Sequence, residues 1–74
     1  MIFEKVVEII KEELATNEEI TMDTNLREDL NADSMDAVQL IISFEEAFGI
    51  TIPDEKILEF TTVKKIVEYI ENNK

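Results

Sequence analysis

The sequence contains no cysteine, so disulfides, thiolate zinc sites and a cysteine nucleophile are all excluded. It contains no histidine either, which removes the commonest general base and metal ligand. A single glycine and a single proline leave few chain breakers, which favours helices over many short strands. Positive charge is scarce: 7 basic residues face 18 acidic ones, for a net charge of -11. Nucleic acid and anionic membrane surfaces repel such a chain, so the expected partners are proteins with basic docking patches. No apolar run is long enough to span a bilayer, so no stable membrane insertion is expected. The opening Met-Ile-Phe-Glu-Lys lacks a basic stretch followed by an apolar one. No signal peptide is therefore expected, and a cytoplasmic location is the default.

The 74 residues leave room for one domain, 1–74, and for no deep catalytic cleft. A chain this short buries only about 60% of its unfolded surface, so the core must be thin. A hydrophobic content of 45% still argues against disorder. Phe3, Val6, Val7, Ile10 and Leu14 recur at helical spacing and predict a first helix over about 2–15. Residues 16–33 have no sustained period and predict a long loop anchored by Ile20, Met22, Leu26 and Leu30. A second helix is predicted over 34–48, with Ala37, Leu40, Ile41, Phe44 and Phe48 as its buried stripe and Gly49 as its stop. Asp54 can cap a short turn through Leu58, and Thr62 can cap a last helix carrying Val63, Ile66, Val67 and Ile70. Lys64 and Lys65 fall in the first turn of that helix, where the macrodipole disfavours them. The fold class expected is all-α: a small four-helix bundle, three main helices and one short, with a long loop after the first.

The informative stretch is Asp29-Leu30-Asn31-Ala32-Asp33-Ser34-Met35-Asp36. Asp33 is a good N-cap, and Asp36 three residues later resembles a capping box. Taken alone, such a segment ordinarily does no more than start a helix. A serine in the first turn has a second use. A phosphate ester there meets free backbone N–H groups and the positive end of the helix dipole. With no histidine to activate it, Ser34 is better suited to being modified than to attacking. On the outer face of the same helix lie Met35, Asp36, Gln39, Ile42, Ser43 and Glu46, with Glu45 at the margin. Single exposed apolar residues are normal. Met35 and Ile42, ringed by carboxylates beside Ser34, nevertheless form a docking strip suited to a basic, apolar partner groove. Asp29, Asn31 and Asp33 follow the start of a calcium-binding loop. The sequence fails that motif at Ser34, where glycine is required, and at Leu40, where glutamate is required. No metal site is assigned, and the carboxylates of Asp29, Asp33 and Asp36 are left with at most loose divalent binding.

The whole chain resembles the acyl carrier proteins of type II fatty acid synthesis, which are freestanding. The likeness centres on Asp33-Ser34-Met35, preceded by Leu30-Asn31-Ala32 and followed by Asp36, Val38, Leu40 and Glu45-Glu46. Ile52-Pro53-Asp54-Glu55 and Thr61-Thr62-Val63 match further along. Three positions depart from the family pattern. Asn31 stands for the usual glycine, Met35 for the commoner leucine, and Gln39 for a frequent acid. The resemblance implies that Ser34 receives 4'-phosphopantetheine from coenzyme A, as a phosphodiester made by a holo-synthase. Asp33 would help place the serine and the metal of that transferase. The arm's thiol would hold acyl chains as thioesters for the enzymes of fatty acid biosynthesis. Those enzymes would dock on Met35, Asp36, Gln39, Ile42, Glu45 and Glu46. The resemblance implies a monomeric carrier and no catalysis by the chain itself. Ile41, Phe44, Ile52, Leu58 and Ile66 are candidates to line a sheltering pocket, although their spacing also reads as plain core. Two other readings compete: a specialised carrier of secondary-metabolite or aminoacyl cargo, and an acidic interaction bundle without a prosthetic group. The glycine pair typical of peptidyl carriers is missing, which favours acyl cargo.

Overall fold

The apolar periods settle into three α-helices in the computed structural model, which describes residues 2–73. These are α1 (Ile2–Leu14), α2 (Ser34–Phe48) and α3 (Val63–Asn72), with a 3-10 helix over Asp54–Glu59 between the last two. Helix α1 packs against both α2 and α3, and the 3-10 helix packs against α2. The expected all-α bundle of three main helices and a short one is the architecture found.

In α1, Val6, Ile9 and Ile10 are buried, with Phe3, Val7 and Leu14 half-buried beside them. Ile9 extends the predicted stripe. The helix stops where Ala15 turns left-handed at φ 51, a conformation that nothing in the sequence signals. Helix α2 spans the predicted residues and buries Leu40, Ile41 and Phe44, while Ala37 and Phe48 are half-buried. Gly49 ends it at φ 65 and donates its N–H to the Glu45 carbonyl. Thr62 caps α3, its side chain accepting from the Lys65 N–H at 3.4 Å. The predicted stripe of Val63, Ile66, Val67 and Ile70 is fully buried. Asp54 does not cap the short helix: Pro53 holds that position with φ -63 and no side-chain bond, and Asp54 opens the first turn. The fixed ring of proline sets the entry angle, and the carboxylates of Asp54 and Glu55 then meet the dipole favourably. Nothing in the structure explains Lys64 and Lys65 in the first turn of α3.

The segment between α1 and α2 is irregular, as expected, but tightly bonded. Its anchors Ile20 and Leu26 are buried, as are Ala32 and Thr24. The Thr24 hydroxyl accepts the Thr21 N–H at 2.8 Å, which satisfies it in place. Leu26 N–H donates to the Thr61 carbonyl, while Val63 and Lys64 N–H donate back to Thr24 and Met22. The long loop is thus laced to the start of α3 and carried across the bundle to the head of α2. The Cα radius of gyration is 10.9 Å, against about 11 Å expected for a domain of this length.

Candidate functional site

The site is the junction where the laced loop becomes α2. Asn25 organises the approach: its Oδ1 accepts the N–H groups of Arg27 and Glu28, and its own N–H donates to Asp29 Oδ2 at 2.8 Å. Asn31 then adopts φ 57. Asparagine is among the few non-glycine residues that take this left-handed turn readily, so the departure from glycine is absorbed. Asp33 follows as the N-cap of α2. Its Oδ1 accepts the Asp36 N–H at 2.9 Å, and Asp36 Oδ2 accepts the Asp33 N–H at 3.2 Å. The predicted capping box is complete, with aspartate serving where glutamate is usual.

Ser34 is therefore the first helical residue, and it is exposed. Because Asp33 does the capping, the serine hydroxyl is not consumed by the helix. Its hydrogen-bond contact among the described residues is a long one, 3.5 Å from Arg27 Nη2. Arg27 was not picked out by the sequence reading. Its one signal was to be the only arginine of the chain, seven residues before the serine. Against Ser34 lies an apolar cleft of about 210 Å³ between the loop and the 3-10 helix, walled by Leu26, Ala37, Ile57, Leu58 and Phe60. Behind it the core is nearly closed. A void of about 10 Å³ is ringed by Leu40, Ile41, Phe44 and Ile66, at the lower limit for holding even one water. Of the pocket candidates, Ile41, Phe44 and Ile66 line this void, and Leu58, 82% exposed, stands at the cleft mouth. Ile52 lines neither and is plain core.

An exposed hydroxyl at a helix start, an adjacent guanidinium and an apolar cleft fit a serine-linked 4'-phosphopantetheine arm. Helix-end amides and the cation suit its phosphate, and the cleft suits its apolar cargo. Among the described residues no three acidic side chains come together in a group that could hold an ion. Asp29, Asp33 and Asp36 each accept a backbone N–H.

The residues predicted for a docking face divide into free and occupied ones. Met35 is 81% exposed, and Val38 and Ile42 are exposed beside it. Gln39 and Glu46 also face solvent. Asp36 is held in the capping box. Glu45 is half-buried and accepts the Ile52 N–H at 2.7 Å, so it ties α2 to the following connection. Ser43 donates to Glu13 on α1 at 2.7 Å. Val38 belongs with the exposed apolar residues although the sequence reading left it out.

The cap has its own test. Asp33→Ala should cost about 1 kcal/mol, or roughly 4–8 °C in melting temperature for a chain of this size. Asp33→Ser keeps a capping oxygen and should restore the melt. If modification by a phosphopantetheinyl transferase recovers equally in Asp33→Ser, the carboxylate has no role beyond capping.

Residues 4–70 match the family described as phosphopantetheine attachment site. The acyl carrier protein of Rubrobacter xylanophilus is 47% identical over 70 residues, covering 93% of this chain and 86% of that one. That of Wolinella succinogenes is 45% identical over 74 residues, covering 99% and 97%. The structure superposes on a candidate acyl carrier protein from Mycobacterium tuberculosis with a TM-score of 0.92 at 28% identity, over 97% of each chain. A second, from Anaplasma phagocytophilum, gives 0.86 at 39% identity, over 96% of this chain and 85% of that one.

Proposed function

This chain belongs to the acyl carrier protein family, and we propose that Ser34 is where it bears its arm and that it serves fatty acid biosynthesis. As a member it is a carrier and not a catalyst, and its prosthetic group is a covalent 4'-phosphopantetheine. When bound, that group supplies a thiol on which acyl chains ride as thioesters. The protein's own contribution is placement. The observation that carries the reading is the exposed Ser34 hydroxyl at the first position of α2, left free by a cap built from Asp33 and Asp36. The cleft beside it offers apolar shelter to the cargo. The face of Met35, Val38, Gln39, Ile42 and Glu46 presents apolar contacts amid negative charge to the holo-synthase and the enzymes of fatty acid synthesis. Among the described residues no helix is long and apolar enough to cross a membrane.

The test is to convert apo protein with coenzyme A and a transferase, then offer it to malonyl transfer and condensation enzymes of a type II fatty acid synthase. Turnover supports the assignment. Uptake of the arm without turnover, together with loading by an aminoacyl or secondary-metabolite enzyme, moves the chain to the specialised carriers.

The two glutamates should separate stability from recognition. Glu46→Lys should weaken binding to a basic partner enzyme roughly three- to tenfold at low salt, an effect that added salt reduces. Its melting temperature should stay near wild type. Glu45→Lys orphans the Ile52 N–H and should cost about 1–3 kcal/mol of stability. Thermal melts and salt-titrated binding of each single variant check both statements.

A further inference from the structure

We propose that Arg27 is a positioning residue for the phosphate of the prosthetic arm. It turns the arm into the cleft between the loop and the 3-10 helix, and away from the outer face of α2. The inference rests on Ser34 being the attachment site. Three depressions meet at Ser34. One is the apolar cleft toward Ile57, Leu58 and Phe60, and Arg27 forms part of its wall. A second, more open one lies over Asn31, Ala32 and Asp33 and also has Arg27 in its wall. The third lies over Met35, Val38 and Gln39, and Arg27 takes no part in it. A group tethered to the Ser34 oxygen can follow any of them. An interaction at the first atom beyond that oxygen keeps it on the Arg27 side, where the apolar walls are those of the cleft.

Arg27 is built to supply it. Its backbone is held at both ends, the N–H donating to Asn25 Oδ1 at 3.0 Å and the carbonyl accepting the Asn31 N–H at 3.1 Å. The side chain therefore departs from a fixed point. Its Nη2 stands 3.5 Å from Ser34 Oγ, the long limit for a hydrogen bond to a neutral hydroxyl. Esterification replaces the hydroxyl proton with phosphorus and sets anionic oxygens around it. The guanidinium fork matches such oxygens bidentately, as a shorter, charge-assisted contact. The neighbours Glu28, Asp29, Asp33 and Asp36 are all acidic, and a phosphodiester adds one more negative charge. Among the described residues no carboxylate lies within ion-pair distance of Arg27. The chain's only arginine is thus free for the one anion that modification brings.

The experiment uses wild type, Arg27→Gln and Arg27→Lys, each converted to the holo form with coenzyme A and a transferase and confirmed by intact mass. Phosphorus NMR reads the phosphodiester, and proton Overhauser contacts read the arm against the methyl groups of Ile57, Leu58 and Val38. Wild type should show a phosphorus shift displaced from that of free phosphopantetheine esters, and arm contacts to Ile57 or Leu58. In Arg27→Gln the shift should return to the free value and those contacts should disappear, while the apo melt stays unchanged. Arg27→Lys keeps the charge without the fork and should fall between. An unchanged shift and unchanged contacts in Arg27→Gln overturn the role of Arg27 alone. Wild-type protein that takes up no arm overturns the attachment reading and this inference with it.

Discussion

Ser34→Ala is expected to gain no mass on incubation with coenzyme A and a phosphopantetheinyl transferase, where wild type gains one arm per chain. The loss should be complete because the reacting oxygen is removed, and the alternatives are poor. The only other serine, Ser43, is half-buried and its hydroxyl is engaged by Glu13. Thr61 lines the cleft beside Ser34, but its hydroxyl sits on a β-branched carbon and stands outside any helix, before the α3 cap at Thr62. The fold should not notice the change. Ser34 is exposed, alanine is the best helix former, and the capping oxygen belongs to Asp33. The apo variant should melt within about 0.5 kcal/mol of wild type. That combination separates loss of chemistry from loss of structure. Equal labelling of Ser34→Ala and wild type would move the attachment point to another hydroxyl and remove the basis for Arg27 as well.

The parts of this molecule that can be read from sequence are those held together by neighbours along the chain. Helix α2 lies over the predicted residues because its start, stripe and stop are all local signals: the Asp33 and Asp36 pair, the spacing from Leu40 to Phe44, and Gly49. Asn31 could be assigned a left-handed turn for the same reason. What could not be read depends on contacts distant in sequence. The loop after α1 shows no period, yet its N–H groups and carbonyls are matched to residues 61–64. Glu45 looked like a margin of the docking face because helical geometry places it there. Only the fold brings Ile52 N–H to its carboxylate. Arg27 gave no periodic signal, and its meaning comes from where the turns at Asn25 and Asn31 aim it. Asp54 was mistaken for a cap because its residue type suits one, whereas Pro53 already sets the backbone angle.

Phe44→Ala is expected to lose a large share of the domain's stability and to melt far below wild type. Phe44 is wholly buried, on the face of α2 that meets Ile41, Ile57, Phe60 and Ile66 around the small internal void. Truncating a buried phenylalanine removes its transfer free energy and leaves a cavity, at a cost of about 3–5 kcal/mol. A domain of 74 residues has on the order of 4–11 kcal/mol to lose. The core is one side chain deep, so few neighbours can shift inward to refill the space. Self-repulsion among an excess of eleven negative charges works in the same direction. Salt should therefore recover part of the folded population of Phe44→Ala by screening over a Debye length of about 10 Å at 0.1 M. Phe44→Leu keeps most of the volume and should fold, with a lowered melting temperature. Circular dichroism and urea unfolding of the three proteins decide the matter. A cooperative transition for Phe44→Ala within a few degrees of wild type would mean that the bundle collapses onto the missing ring. In that case the narrow void behind Ser34 is adjustable, and its walls can open as readily as they close.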